Sequence, residues 1–408
     1  MNNKLNHFTL ISAIAIAFAA NAADVKDLKA GTLKNCGIAD NEVTLSVTGQ
    51  MDASDFFYIF DNLNELKELN ISEVEIVAYS GKPLSYTGLS MSPAHTLPDY
   101  ALTGMTNLSS VVLPNSLKCI GKGSLSGTGL TSLRVPQGVT TIGDYALMRC
   151  SELTSIEIPE SVASLGERSF AYCPKLETVS IMASLTSIPE GLFEACGGLK
   201  DINLEYLTQC TEIGPWALAE CNGMETLVLP YNSAVIDDAA LYGAAGVKLL
   251  KLPETVSYIG NNAMSAMTAL NTLNVSDVQA IPELGENVWG RIDKSAVTLV
   301  TPNHQVNDYM AAEQWNEFNI IPLDEWQSST HNIASEIGSN HVTVKVIGDE
   351  LIINASESSL GTVSIYNVAG TRVATTMTDS ATAKFNVANW TSGVYLVVTS
   401  ASVTKVSI

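Results

Sequence analysis

Residues 153–173 read LTSIEIPESVASLGERSFAYC. The first part, around Ile156, alternates apolar and polar residues as a short strand does, and it stops at Pro159. The second part, from Leu165 to Phe170, predicts one turn of helix. Neither part is long enough to be stable in water by itself. The segment must therefore pack against other parts of the chain.

The same pattern recurs upstream and downstream of this segment. It reads LTSLRVPQGVTTIGDYALMRC at 130–150 and LETVSIMASLTSIPEGLFEAC at 176–196. The leading apolar positions are Leu108, Leu130, Leu153, Leu176, Leu199, Met224, Val247 and Leu270. Their spacings are 22, 23, 23, 23, 25, 23 and 23 residues, and a second column of Leu and Ile residues keeps the same steps. A fixed period of 20 to 29 residues is the signature of a leucine-rich repeat solenoid.

The spacing within one repeat predicts how the copies pack. Ile156 and Ile158 point to one side of a strand, and Glu157 points to the other. Copies of this strand, stacked about 4.8 Å apart, form a parallel sheet with a continuous apolar core. The predicted fold class is therefore an α/β leucine-rich repeat solenoid of short parallel strands with repeats of 22–25 residues.

The chain changes character at both ends of the repeats. Lys4 precedes an apolar run at 10–20 that ends in Ala-Asn-Ala, which is the pattern of a secretory signal peptide. After residue 341, short β-rich segments separated by turn residues predict a small all-β sandwich. The predicted organisation is a signal peptide at 1–22, an N-terminal cap with irregular repeats and a surface loop (80–95) at 23–107, regular repeats at 108–276, a C-terminal capping region at 277–325, a linker at 326–340 and the sandwich at 341–408.

Composition limits the partners. The chain has 408 residues, of which 46% are apolar, and a net charge of −21. Such an acidic chain repels nucleic acid and anionic membranes, so neither is an expected partner. The apolar run at 10–20 is too short to cross a membrane, and the rest of the chain contains no stretch of 18 or more apolar residues. No integral membrane segment is therefore predicted.

Four of the seven cysteines share one repeat position: Cys150, Cys173, Cys196 and Cys221. Stacked Cβ atoms at this position are expected about 4.8 Å apart, whereas a disulfide prefers about 3.5–4.5 Å. We expect a ladder of buried thiols, and one or two disulfides remain the alternative. No closely spaced cysteine pair of the zinc-binding type occurs, so no metal site is predicted.

The repeat is similar to that of BspA-like leucine-rich repeat proteins, and residues 43–56 and 298–318 resemble the two ends of that family's repeat region. The resemblance covers about residues 30–325. Met182 and Glu205 depart from it where proline is usual, and two additional residues enter near Glu205–Thr211, so we expect local bulging of the solenoid there.

The C-terminal segment resembles the sorting domain of the type IX secretion system of Bacteroidetes. The matching residues include the Ile-Tyr-Asn run at 365–367, Gly393, Val394, Tyr395 and Lys405. The resemblance implies that these residues form a sorting signal, that the export machinery is a partner, and that the protein passes through the periplasm to the outer cell surface or the medium. An immunoglobulin-like stalk is the alternative.

The sequence contains no motif that predicts catalysis. In GSLSG (123–127), Leu125 stands where a nucleophile elbow needs serine, and no P-loop, H-E-x-x-H or EF-hand pattern occurs. The histidines lie in predicted loops, the cap or beside the linker, and Asp237-Asp238 reads as a solvated turn. We therefore predict a protein that is not an enzyme and has no cofactor.

One column of outward strand residues suggests binding instead. Its candidate residues are Arg134, Glu157, Ser180, Asn203 and Lys251. Along the predicted concave face, the type of residue in this column changes from each repeat to the next, whereas the core columns stay apolar. Such variation suits recognition of an extended extracellular or host protein. A surface without any binding function would show the same variation in residue type. The family resemblance implies adhesion; the alternatives are a glycan-binding or inhibitory accessory factor and a passive surface scaffold.

Overall fold

A computed structural model describes residues 22–84, 87–330, 342–347, 350–355, 360–367, 372–378, 380–388, 390, 394–398 and 403–407. Residues 1–21 of the predicted signal peptide and residues 331–340 of the predicted linker lie outside these ranges. The chain divides into two compact units, Met1–Ile156 and Glu157–Ile408.

The first unit is built mainly from short strands. Its described strands are β1 (Ala22–Leu28), β2 (Thr44–Met51), β3 (Glu68–Ile76), β4 (Tyr79–Leu84), β5 (Leu89–Ser92), β6 (Thr96–Leu97), β7 (Ser110–Val112), β8 (Cys119–Ile120), β9 (Ser132–Arg134) and β10 (Thr141–Ile142). Helix α1 spans Ala53–Asn62, and a 3-10 helix spans Leu33–Asn35. Strand β11 (Ser155–Ile158) reaches the boundary between the units.

Two parallel rows of strands organise the first unit. Strands β1, β2, β3 and β7 lie side by side in that order, and β6, β8 and β10 form the second row. Strands β4 and β5 form an antiparallel hairpin where the sequence predicted a surface loop at 80–95. The prediction was wrong because the glycine and proline of this segment were taken as loop signals, and an exposed edge strand tolerates both.

The N-terminal cap is held by a buried carboxylate on α1. Asp55 accepts hydrogen bonds from the backbone N–H groups of Gly31 (2.7 Å), Leu33 (2.9 Å) and Asp52 (3.0 Å). Burial raises the pKa of Asp55, although these three hydrogen bonds oppose the shift. The helix start and the preceding 3-10 turn are thereby joined through one side chain.

The second unit continues the repeats. Its solenoid strands are β12 (Ser164–Leu165), β13 (Thr178–Ile181), β14 (Ser187–Ile188), β15 (Asp201–Ile202), β16 (Glu212–Ile213), β17 (Thr226–Val228), β18 (Val235–Ile236), β19 (Leu249–Lys251), β20 (Tyr258–Ile259), β21 (Thr272–Asn274), β22 (Glu283–Leu284), β23 (Thr298–Thr301) and β24 (Asn319–Pro322). Helices α2 (Val306–Ala311) and α3 (Leu323–Thr330) lie near its end. Two 3-10 helices span Leu204–Tyr206 and Lys294–Ala296.

The strands of the second unit also form parallel rows. One row has the order β14-β16-β18-β20-β22 and another the order β17-β19-β21-β23-β24. Strand β13 pairs with β15, but no sheet of the described chain joins β15 to β17. The 3-10 helix Leu204–Tyr206 and the two additional residues lie at this interruption. The irregularity predicted near Glu205–Thr211 is therefore confirmed.

Turns replace the helical turn that the sequence predicted in each repeat. Residues 167–172 form successive turns, and Phe170 donates its N–H to Leu192 of the next repeat (3.1 Å) rather than to the residue four positions earlier. Two residues per repeat, four positions apart, have positive φ, which a right-handed helix excludes. The first such column is Tyr100, Gly123, Tyr145, Arg168, Gly191, Trp216, Ala239, Asn262 and Asn287, and the second is Gly104, Gly127, Arg149, Tyr172, Ala195, Glu220, Gly243, Ala266 and Arg291.

In two places in the first of these columns, a large side chain is followed by glycine in the next repeat. The Tyr100 ring lies over Gly123, where a Cβ atom would meet the ring at 2.7 Å. The Arg168 side chain lies over Gly191, where a Cβ atom would meet Arg168 Cγ at 2.6 Å. Glycine is needed at both positions because of this close approach and because φ is positive. Arg168 thereby reaches Glu190 (2.7 Å) and Glu194 (2.9 Å).

The cysteine column is buried, and each of its four side chains is a thiol rather than half of a disulfide. The thiols of Cys150, Cys196 and Cys221 donate to backbone carbonyls of the preceding repeat. Cys196 Sγ donates to Phe170 O (3.1 Å), and Cys221 Sγ donates to Phe193 O (3.1 Å). The predicted thiol ladder is therefore confirmed.

We expect these four thiols to resist modification in the folded protein. Burial raises the pKa of Cys221 to about 12, so little of the reactive thiolate form exists at pH 8. Alkylation at pH 8, followed by mass spectrometry, should label none of Cys150, Cys173, Cys196 and Cys221 before denaturation and all four after it. A disulfide-linked peptide pair from this column would contradict the ladder.

The end of the solenoid is closed by aromatic side chains, as predicted for the capping region. Trp315 packs edge-on against Trp289 (ring centroids 5.2 Å apart) and Tyr309 (5.3 Å), and Phe318 packs against Trp289 (5.1 Å). All four side chains are buried. Helix α3 follows directly, so the predicted linker at 326–340 begins inside a helix.

The C-terminal domain is an antiparallel sandwich, as predicted. Its strands are β25 (Val342–Ile347), β26 (Glu350–Ala355), β27 (Gly361–Asn367), β28 (Arg372–Thr378), β29 (Thr382–Asn386), β30 (Val394–Val398) and β31 (Val403–Ser407). They form sheets of order β25-β26-β29 and β28-β27-β30-β31. Leu351 and Ile353 of the first sheet share one core with Val363 and Ile365 of the second.

Candidate binding surface

Three strands of the second unit present the most regular surface of the repeats. Strands β17, β19 and β21 pair residue by residue, and their central residues Leu227, Leu250 and Leu273 are buried. The flanking residues point to the other side of the sheet. We call five of these residues the outward face: Thr226, Val228, Leu249, Lys251 and Thr272. The sixth, Asn274, is buried, and its side-chain oxygen accepts the N–H of Ser276 (2.9 Å).

For three of the candidate binding residues, the structure confirms the predicted side of the strand. In the first unit, Arg134 is exposed at the end of β9. In the second unit, Glu157 is exposed in β11 between two buried isoleucines, and Ser180 is half-buried in β13. Their polar groups therefore lie on the solvent side of their own strands.

Asn203 has a structural task that sequence spacing did not reveal. Its side-chain oxygen accepts the N–H of Ile181 (2.7 Å), and its amide nitrogen donates to Ile181 O (2.9 Å). Strand β15 ends at Ile202, so the Asn203 side chain replaces the backbone hydrogen bonds that a longer strand would make. Its amide is therefore already occupied within the protein.

Lys251 is half-exposed and forms an ion pair with Asp277 (Nζ to carboxylate oxygen 2.8 Å). An exposed pair of this kind contributes about 0–1 kcal/mol to stability. Lys251 can therefore exchange Asp277 for an external carboxylate at little cost. The pair places one positive and one negative group at the edge of the outward face.

Sequence reasoning passed over two apolar residues of this face. Val228 is 38% exposed, and Leu249 is half-buried with its backbone in register with Thr226 and Thr272. Leu249 stands in a column that is otherwise polar, and that break in polarity was the available signal, whereas Val228 shares its column with Val112. Together they give the outward face apolar contact area beside its hydroxyl and charged groups.

A rigid polar edge borders the outward face. Tyr231 donates its hydroxyl to the Glu254 carboxylate, which also accepts the side-chain amide of Gln279 (2.6 Å). Burial raises the pKa of Tyr231, and the Glu254 carboxylate raises it further. Because these side chains bond to one another across repeats, they hold the loops after β17, β19 and β21 in place.

The Asp237-Asp238 pair, which the sequence suggested to be a solvated turn, is structural in part. The Asp238 carboxylate accepts the backbone N–H of Asn261 (2.7 Å) and its side-chain amide (3.1 Å). Within the described ranges, no group of three or more His, Cys, Asp or Glu residues is arranged to hold a metal ion. In the same part of the chain, no helix has the length and apolar character needed to cross a membrane.

Three of the predicted sorting residues, Val394, Tyr395 and Lys405, lie on the last two strands of the sandwich. Tyr395 in β30 pairs with Asn367 of β27 and with Val406 of β31, and Leu396 pairs with Lys405. Val394 begins β30, whereas Gly393 lies outside the described residues. The backbone of the candidate signal is thus part of the sheet.

Comparison with known families gives two matches. The family described as the BspA type leucine-rich repeat region matches residues 73–200 and 168–287 with six copies, which together span more than half of the chain. The secretion system C-terminal sorting domain matches residues 347–407. No curated protein matches the chain.

Solved structures with a similar arrangement include several bacterial repeat proteins. A leucine-rich repeat protein from Bacteroides ovatus is 19% identical, with 65% of this chain and 65% of that chain covered and a TM-score of 0.47. One from Eubacterium ventriosum is 16% identical, with 64% and 60% covered and a TM-score of 0.40. A leucine-rich cell surface protein from Faecalibacterium prausnitzii is 20% identical, with 62% and 82% covered and a TM-score of 0.34.

The chain thus spans less than two thirds of the length of the first two of these structures. Its own hydrogen-bonded strand rows and the six matched repeat copies establish the repeat architecture. Residues 347–407 supply a sorting domain of the type IX secretion class. The protein belongs to the family of BspA-type leucine-rich repeat proteins.

Proposed function

We propose that this is a non-enzymatic binding protein of the cell surface or the surrounding medium, and that the outward face recognises an extended segment of an extracellular protein. One observation carries the proposal. Three strands in exact register offer hydroxyl, apolar and charged side chains on one side, while the core depends only on the other side. Adjacent strands about 4.8 Å apart suit an extended polypeptide lying across them.

The composition of the outward face supports a protein ligand. Val228 and Leu249 supply apolar area, and Lys251 with Asp277 supplies charges at the rim. Interfaces between proteins combine a less polar centre with a polar rim in this way. The exposed Glu157 and, in the first unit, Arg134 are further candidate contacts that we propose to test one at a time.

The test uses the full-length chain against a panel of purified extracellular matrix proteins. For any protein that binds, Leu249→Asp should weaken binding at least tenfold, and Lys251→Glu should weaken it with a loss that shrinks as salt rises. Neither change should shift the melting temperature by more than about 2 °C, since both residues are outside the core.

The matched control lies on the turn side of the same unit. Tyr172→Gly removes an exposed aromatic residue there and should leave binding of the protein partner unchanged. If Tyr172→Gly abolishes binding while Leu249→Asp and Lys251→Glu do not, the outward face is not the binding surface.

We further propose that residues 1–22 direct the chain into the periplasm and that the sorting domain takes it on to the outer surface or the medium. The match at residues 347–407 supports the second step. In a cell with a type IX secretion system, deletion of residues 347–407 should leave the protein in the periplasmic fraction. Surface exposure or secretion of the deleted form would contradict this route.

A further inference from the structure

Trp216 and Tyr242 form an aromatic corner on the turn side of the second unit. Their ring centroids are 5.7 Å apart, and the ring planes make an angle of 55°. Trp216 is 38% exposed and Tyr242 is half-buried, so ring surface of both is open to solvent. This corner lies apart from the outward face, on the turn segments of its repeats.

Backbone hydrogen bonds fix the corner and join it to the turn that carries Glu220. Trp216 donates its N–H to Asp238 O (3.2 Å), and Glu220 donates its N–H to Tyr242 O (2.7 Å). The Glu220 side chain lies over Gly243, where a Cβ atom would be 3.4 Å from Glu220 Cγ. The position of Glu220 relative to Tyr242 is therefore set by the repeat itself.

The Glu220 carboxylate differs from its neighbours in having no counter-charge. Glu190 and Glu194, in the preceding repeat, both pair with Arg168. Glu220 is exposed, and its carboxylate makes no hydrogen bond or ion pair with any residue that the structure describes. The corner therefore combines two aromatic rings with one unpaired negative charge.

The fold does not require an aromatic residue at position 216. Trp216 has φ of 59°, a conformation that costs a non-glycine residue about 1–2 kcal/mol. Gly123 and Gly191 occupy the same repeat position without that cost. Trp216 therefore carries an aromatic ring, with 38% of the residue exposed, at a position that glycine can also fill, and this surface is available to a ligand.

We propose that Trp216, Tyr242 and Glu220 bind an arginine or lysine side chain of a basic polypeptide. Aromatic faces attract cations, with tryptophan the strongest, and the Glu220 carboxylate supplies a charge-assisted hydrogen bond. The net charge of −21 steers a basic partner toward the protein. A neutral sugar ring would also stack on Trp216, but it would leave the Glu220 charge without a counter-charge.

The experiment is calorimetric titration of the full-length chain with a synthetic peptide that carries three arginines separated by Gly-Ser. Trp216→Gly should weaken binding about tenfold, and Trp216→Phe should retain most of it. Glu220→Gln should weaken binding several-fold and reduce its salt dependence. Asp201→Asn, which removes an equal charge from an exposed strand position, is the matched control and should have no effect.

Melting temperatures decide whether a loss of binding reflects folding, and Trp216→Gly is expected to leave the melting temperature unchanged or higher. Equal binding by Trp216→Gly and the parent would mean that general acidity attracts the peptide, which would overturn the proposal. Tighter binding of a neutral oligosaccharide than of the peptide would overturn the choice of ligand. The Leu249→Asp variant should bind the peptide normally, so the peptide titration tests the aromatic corner independently of the proposed outward face.

Discussion

Leu250→Asp is expected to lower the free energy of unfolding by more than about 3 kcal/mol, because it buries an unpaired charge. Leu250 is fully buried, and its backbone pairs with Leu227 on one side and Leu273 on the other. The carboxylate would lie between these two leucines, neither of which has a side-chain hydrogen-bond partner to offer. Denaturant titration followed by circular dichroism measures the loss.

The neighbouring residue provides a control with the same substitution. Leu249 has the same side chain but lies on the outward face, where water solvates a carboxylate. Leu249→Asp is expected to cost less than about 1 kcal/mol, the modest penalty of aspartate in a strand. Equal losses from the two variants would contradict the assignment of inward and outward positions along β19.

Trp315→Ala is expected to destabilise the protein by about 3–5 kcal/mol, as removal of a buried tryptophan does elsewhere. Trp315 is 1% exposed and contacts the rings of Trp289, Tyr309 and Phe318. These aromatic residues cover the last repeats. Their loss should fray the end of the solenoid first, because each repeat is supported only by its neighbours.

Hydrogen exchange measured by mass spectrometry separates this local effect from a general loss of stability. In Trp315→Ala, protection should fall first in strands β21 to β24 and much less in β13. Trp216→Ala is the control, since Trp216 is 38% exposed and lies away from the cap. A uniform loss of protection throughout the second unit would show that Trp315 does not act as a cap.

The repeat pattern alone predicted most of the architecture. Leucine and isoleucine columns with a constant step are compatible with few folds other than stacked parallel strands, because a three-residue strand has no stability without its copies. The same reasoning correctly placed the buried cysteine column, since side chains at one repeat position share one environment. The aromatic residues near residues 289–318 likewise signalled a cap in the sequence.

The turn segments show where pattern reasoning failed. Leu165 and Phe170 have a helical spacing, yet the backbone between them turns through residues of positive φ. Arg168 and Tyr172 give no warning of this, because non-glycine residues rarely adopt that conformation. Hydrogen bonds to the next repeat hold them there, and such bonds exist only after the repeats have stacked.

Among the candidate binding residues, too, the sequence predicted some features and could not predict others. Strand alternation was enough to place Glu157 and Arg134 on the solvent side. Alternation could not show that the Asn203 amide bonds to Ile181, or that Glu220 lies beside an aromatic corner whose rings come from two different repeats.

The sequence by itself determined the period, the inward and outward positions of each strand, the cap and the sorting domain. The period and the inward and outward positions follow from burial of apolar side chains, a property that each repeat carries locally, whereas the sorting domain was identified by its resemblance to a known family. Only the tertiary structure decided the left-handed turns, the interruption between β15 and β17, and which polar side chains are already bonded within the protein. Those depend on hydrogen bonds and side-chain contacts between repeats about 23 residues apart, whose geometry no single repeat specifies.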